Sequence, residues 1–141
     1  MDFSVIDLPV KETNGLGSLS FLEAGLDIPF SIKRIYYIYG VPNHMQRGGH
    51  AHRSLSQLLF CPNGTIEILL SDGEERESVM LDRPNKALVI GPGLWRDMVW
   101  HTEGAVLCVA ASEHYSESDY IRDYDTFLKY KETQVGGEAH D

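Results

Sequence analysis

The chain has 141 residues, of which 43% are hydrophobic and 10% aromatic, and its formal net charge is −9 at pH 7. That length fits a single domain able to bury a real core, and that apolar content excludes a disordered polymer. The 12 basic residues are dispersed through an acidic chain, which excludes a nucleic-acid-binding face, because counterion release needs clustered Lys and Arg.

The opening MDFSVIDLPVKE has no basic segment followed by an apolar run, and no later apolar stretch approaches ~20 residues. A cytoplasmic protein with no membrane association is therefore expected. GSLSFLEAG followed by IPF reads as one or two strands joined by a Gly-Leu-Asp turn, available to the sheet of this chain or of a partner. From Lys33 to Val109 short apolar or alternating runs are punctuated by turn signals. RIYYIY precedes GVPN, SQLLFC precedes PNG, TIEILL precedes SDGEE, SVML precedes DRPN, ALVI precedes GPG, and AVLCVAAS follows HTEG. Strands of this length and spacing predict an all-β sandwich or barrel, with a tight hairpin at Asp72-Gly73. Cys61 and Cys108 lie inside apolar runs and read as reduced core residues. Ser116 and Asp119 have the spacing of a capping box, and Tyr120, Ile121, Tyr124, Phe127 and Leu128 then share a helical face. One C-terminal helix packed on the β body is predicted. The domain is expected to span 1–131, with 132–141 a loose polar tail.

The chemistry centres on RGGHAHRSLSQ, residues 47 to 57, where His50 and His52 share one face if the segment is a strand. Four residues then lead to Gln57 and six more to Gly64. This is the spacing of the first cupin motif, HxH-x(3,4)-E-x(6)-G, with Gln in place of Glu. Gly91-Pro92-Gly93-Leu94-Trp95-Arg96 stands in the place of the second motif, P-x-G-x(2)-H, with Arg96 at the histidine position and Gly91 at the proline. Gln is a weak neutral donor and Arg a permanent cation, so two of four metal ligands are replaced and no metal is expected. Two histidines on one wall suit proton transfer next to a carbonyl instead. In RIYYIY, Tyr37 and Tyr39 share a face with Ile35, while Arg34 and Tyr36 lie on the other. Arg34, Arg47 and Arg96 are embedded in these β motifs, where a guanidinium must find a partner or a polar cavity, and a bidentate guanidinium suits a diphosphate.

These residues resemble the nucleotide-sugar 3,4-ketoisomerases, small cupins related in shape to the sugar 3,5-epimerases. The resemblance runs from about Gly17 to Tyr130 and is carried by IPFSIKRIYYIY, RGGHAH, GPGLWRDM and SDYIRDYDTFLKY. It implies a cupin-type jelly-roll antiparallel β-barrel with a C-terminal α-helix. It also implies conversion of dTDP-4-keto-6-deoxyglucose to its 3-keto isomer through an enediol, for a deoxyamino sugar of a surface polysaccharide. The oxidation level moves within the sugar, so no cofactor is expected. On this resemblance His52 is the proton-shuttling base with His50 its partner, Tyr37 hydrogen-bonds the sugar oxygens that gain charge, and Arg34, Arg47 and Arg96 bind substrate. A homodimer that exchanges N-terminal strands is implied as well, with residues 17 to 30 at the interface.

The chain departs from the family pattern at Leu16, where many relatives carry arginine, and at Arg96, where some carry histidine. These positions bear on whether the product is gluco or galacto at C4, and Arg96 favours gluco. The competing readings are a 3,5-epimerase-like enzyme and a non-catalytic nucleotide-sugar binding module. A metal-dependent dioxygenase is disfavoured by Gln57 and Arg96. His44, His101, His114 and His140 lie outside the motifs and are read as ordinary loop or surface residues.

Overall fold

A computed structural model describes residues 1–140, and the side chains of residues 1–134. The strands are β1 (Phe3–Asp7), β2 (Val10–Thr13), β3 (Gly17–Ser20), β4 (Arg34–Ile38), β5 (Gln46–His52), β6 (Gln57–Phe60), β7 (Ile66–Ser71), β8 (Arg76–Leu81), β9 (Lys86–Ile90), β10 (Trp95–Trp100), β11 (Leu107–Ala111) and β12 (Tyr120–Ile121), followed by the helix α1 (Tyr124–His140). Two five-stranded sheets form, in the orders β1-β9-β6-β11-β4 and β12-β5-β10-β7-β8, and β2-β3 stands apart as a two-stranded sheet. The fold is a jelly roll, built as two facing antiparallel sheets rather than as one continuously bonded barrel.

The runs that read as strands fold as strands because each offers the core a face of period two. Ile66, Ile68 and Leu70 of β7, Met98 and Trp100 of β10, and Leu107 and Val109 of β11 meet between the sheets. QLLF is apolar on both faces because β6 is covered on both. Leu59 enters the inter-sheet core, and Leu58 packs outward against Ile28 with Leu22, Phe30 and Ile32. The segment that contains IPF is thus irregular chain laid over the back of the first sheet, not a strand. Gly17–Ser20 pairs only with β2, and all residues of β2 and β3 are exposed, so this hairpin completes neither sheet of its own chain.

The expected helix start at Ser116 is displaced. Glu117–Asp119 makes a single 3-10 turn, and Tyr120–Ile121 then pairs with β5 as β12. The helix begins at Tyr124, capped by Asp123, whose Oδ2 accepts from the Thr126 amide at 3.0 Å. Phe127, fully buried, packs with Ala51, Trp95 and Ile121 on the outer face of the second sheet. Its truncation to Ala belongs to the class of core changes that cost about 3–5 kcal/mol. Helical backbone continues to His140 through the segment where a loose tail is expected, helped by the good helix formers Lys131, Glu132 and Gln134.

Candidate active site

The site is assembled where β5 and β10 run side by side. Arg96 pairs with His50 and Met98 with Arg47, with a register shift between them. Arg96 and Met98 are two residues apart, whereas His50 and Arg47 are three apart, so one residue of β5 is extra. The bulge falls on Gly48 and Gly49, with φ of 97° and 75°. A Cβ on Gly48 would lie 3.1 Å from the Arg96 carbonyl oxygen and 3.2 Å from Asp97 Cα. Strict alternation would turn Arg47 away from the histidines. The bulge flips the parity and puts Arg47 and His50 on the same cavity.

That cavity, of about 270 Å3, is lined by Arg34, Tyr36, Arg47, His50, Tyr120 and Arg122, with Gly48, Ile38 and Met98. A larger one of about 520 Å3, lined by residues that include Trp95, Asp97 and Tyr124, contains no histidine and none of the motif arginines, its one arginine being Arg76. Chemistry converges on the smaller one.

His50 and His52 meet edge to face, with ring centroids 5.0 Å apart, and Tyr120 covers both at 5.3 and 4.4 Å. His50 lines the cavity, while His52 is fully buried behind it. His52 Nδ1 donates to Asp119 Oδ2 at 2.9 Å. The other carboxylate oxygen of Asp119 accepts from the Ser54 amide at 2.7 Å and the Ser54 hydroxyl at 2.9 Å. Burial raises the Asp119 carboxyl, but the donors from Ser54 and His52 outweigh it and hold the group below its ordinary value. An ionised Asp119 fixes the tautomer, leaving the His52 Nε2 lone pair free. Both Nε2 atoms are buried without a hydrogen-bond partner.

Burial first, then the positive charge of Arg96, pushes His50 down to about 3 and His52 to about 4, the latter against the opposing pull of Asp119. Both imidazoles are neutral at pH 7 and can accept a proton. Arg96 is itself fully buried and brought down to about 10 by burial, still charged at neutral pH. It donates to Gln57 Oε1 at 2.6 Å and to the Leu94 carbonyl at 2.9 Å. The four positions that hold a metal in the cupin pattern are thus filled by two imidazoles and a cation bonded to an amide, a donor set that does not fit a divalent ion. Among the described residues no group of three or more His, Cys, Asp or Glu is arranged to bind a metal.

Of the residues expected from sequence, Arg34, Arg47 and His50 line the cavity, His52 stands directly behind, and Arg96 is committed to protein partners instead of opening onto the cavity. Tyr37 does not belong there. The β4-β11 pairing turns Arg34, Tyr36 and Ile38 inward, and Tyr37 is 61% exposed on the opposite face. Its neighbour Tyr36 takes the inner position, accepting from Gln57 Nε2 at 2.9 Å. Arg34 stacks over Tyr36 at 5.1 Å, and its Nε and one terminal nitrogen are buried and unpartnered. Arg122 lies over Tyr120 at 4.1 Å and is held by Glu117. Asp119, Tyr120 and Arg122 were not expected in the site. The S-x-x-D spacing that suggests a cap conceals them.

The family model described as FdtA: WxcM-like, C-terminal, matches residues 1–132. The chain belongs to this FdtA family. It is similar to the TDP-4-oxo-6-deoxy-alpha-D-glucose-3,4-oxoisomerase of Aneurinibacillus thermoaerophilus, with 45% identity over 120 residues that make up 85% of this chain and 86% of that protein. Its structure resembles that of a 3,4-ketoisomerase from Helicobacter canadensis, with 46% identity, a TM-score of 0.90, and coverage of 94% of this chain and 98% of that one. It also resembles QdtA, a sugar 3,4-ketoisomerase from Thermoanaerobacterium thermosaccharolyticum in complex with TDP, with 41% identity, a TM-score of 0.90, and coverage of 94% and 96%. The FdtA-family membership agrees with the ketoisomerase resemblance carried by the sequence motifs.

Proposed function

We propose that the chain catalyses the 3,4-ketoisomerisation of dTDP-4-keto-6-deoxyglucose, in a route to a deoxyamino sugar. The observation that carries this is a pair of neutral imidazoles, His50 half-buried and His52 buried, with free Nε2 atoms at a cavity rimmed by Arg34, Arg47 and Arg122. Arg34, with donors free, and Arg47 suit the diphosphate. His50, which lines the cavity, takes the proton from C3, and the C4 carbonyl oxygen gains charge as the enediolate forms. Tyr36 is placed to donate to such an oxygen. Reprotonation at C4, with the C3 hydroxyl proton lost and the C4 oxygen protonated in its place, leaves the ketone at C3 and a hydroxyl at C4, and no electrons leave the sugar. His52, oriented by Asp119, is the second acid/base. This inverts the division of labour expected from sequence, because His50 is the imidazole that meets the cavity.

Arg96 in place of histidine favours the gluco configuration at C4. The exposed Ile35 and Tyr37 on β4, Tyr39 just beyond it, and the exposed Leu16 and Leu19 at the β2-β3 hairpin support a homodimer that exchanges its N-terminal strands, since such exchange covers apolar surface and sheet edges. Light scattering on the purified protein measures the assembly, and a monomer would sink that proposal. The proposed location is cytoplasmic; among the described residues no helix is long and apolar enough to cross a membrane.

The deciding experiment follows the sugar by NMR in deuterated water. Deuterium at C4 with a new 3-keto signal supports the isomerase, and the coupling of ring protons in a parallel run in H2O gives the C4 configuration. Deuterium at C3 and C5 with the 4-keto group kept would instead establish epimerisation, and binding without exchange would leave only a sugar-nucleotide binding module.

A further inference from the structure

The amide of Gln57 can stand in only one orientation. Arg96 carries donors and no acceptor, and its terminal nitrogen approaches the amide at 2.6 Å, so the atom it meets is Oε1. Nε2 is thereby turned to Tyr36, whose phenolic oxygen accepts from it at 2.9 Å. Having accepted there, the phenol must direct its own proton elsewhere. Among the described residues none accepts that proton, and the nearest cation over the ring, Arg34, is again only a donor. Tyr36 lines the cavity. Burial above all raises its pKa, so the proton is present at neutral pH.

We infer that Gln57 is a positioning residue which, locked by Arg96, makes the Tyr36 hydroxyl a hydrogen-bond donor aimed into the cavity. Which oxygen receives that bond rests on the ketoisomerase reading, the recipient being the sugar oxygen that turns into an enediolate oxygen. The polarity itself is a property of the protein alone. A glutamate at position 57 would accept from Arg96 and from the phenol together. It would draw the Tyr36 proton towards itself and present the cavity with a lone pair, repelling the charge that has to be stabilised.

Gln57→Glu tests this with little steric change, and the new carboxylate finds an ionic partner in Arg96, so the fold is retained. Its kcat is expected to fall on the order of 10²-fold, the scale of losing one oxyanion donor, with KM nearly unchanged. Tyr36→Phe should fall by a similar factor, and the double variant no further, because the same donor is lost in each. Additive losses, the signature of independent structural damage, would overturn the proposal, as would wild-type kcat in Gln57→Glu. A second readout needs no turnover. With 3-fluorotyrosine incorporated, the Tyr36 fluorine signal, assigned by its absence in Tyr36→Phe, should titrate at higher pH in Gln57→Glu than in the wild type. An equal or lower midpoint refutes the polarity. If the wild type fails to isomerise the keto sugar, the assigned reaction falls, while this titration still decides the role of Gln57.

Discussion

Lowering the pH from 7 to 5 is expected to take stability from the protein while leaving its chemistry in place. In the unfolded chain both histidines titrate near the ordinary value of about 6.5, whereas in the folded protein they stand at about 3 and about 4. The folded pKa values are depressed bases, so between those values and 6.5 the unfolded state binds more protons. Stability is complete above about pH 6.5 and declines as the pH falls towards the folded values. At pH 5 each histidine contributes a loss of about 2 kcal/mol, roughly 4 kcal/mol together, a large share of an ordinary domain's 5–15 kcal/mol. Urea unfolding followed by tryptophan fluorescence at pH 7, 6 and 5 measures this, and His52→Gln should remove about half of the dependence. The rate behaves oppositely, since a base of pKa about 4 remains roughly nine-tenths unprotonated at pH 5, whereas one near 6.5 would lose activity about thirtyfold. A kcat/KM that fell thirtyfold over this range while unfolding free energy stayed flat would show that the imidazoles are solvated, and the burial argument would be wrong.

Asp119→Asn should lower kcat by on the order of 10²-fold or more. Its oxygen stays with the two Ser54 donors, so its NH2 faces His52 Nδ1 and forces the proton onto Nε2; nitrogen shifts of His52 report the tautomer, and an unchanged tautomer with full activity would refute the role. Arg34→Gln removes a half-buried cation with two buried, unpartnered nitrogens. Binding of TDP measured by calorimetry should weaken about 10- to 100-fold, the scale of a hydrogen bond to a charged group. Gly48→Ala places a Cβ 3.1 Å from the Arg96 carbonyl at a φ of 97°. A loss of about 1–3 kcal/mol in unfolding experiments is expected from the strained backbone, and an unaffected midpoint would mean that the bulge relocates freely.

The fold was legible because β periodicity is local and repeated, and the motif positions were legible because cupin spacing is local too. His50, His52 and Arg96 lie on the paired strands β5 and β10, Gln57 faces them from β6 of the other sheet, and they meet as that spacing implies. Tyr37 was misplaced because alternation in RIYYIY defines two faces without saying which is inside. Arg34 and Tyr36 on the other face carried the answer, a cation and a phenol together fitting a polar cavity better than Ile35 and Tyr39 do. Asp119 was hidden by a genuine ambiguity: an acid three residues after a serine caps a helix as readily as it ends a 3-10 turn, and a two-residue strand has no period to detect. The turn of Arg47 into the cavity depends on the Gly48-Gly49 bulge, which two adjacent glycines permit but do not dictate.

The exchange of ligands at positions 57 and 96 changes what a cupin wall can do. A metal bound to His50 and His52 would occupy the Nε2 lone pairs that a proton acceptor needs. The Arg96 guanidinium keeps a positive charge in the same cluster, close enough to be the second cause of depression in both histidines, yet it consumes neither lone pair, because its two terminal nitrogens donate to Gln57 and Leu94 instead. The imidazoles are left neutral with both Nε2 atoms unpartnered and His52 oriented by Asp119, and the developing negative charge of an enediolate still finds a fixed cation nearby without solvent reorganisation. Restoring metal ligands at either position alone would therefore not restore a metal site. Gln57→Glu leaves the cation in place, and Arg96→His leaves a neutral amide as the fourth ligand.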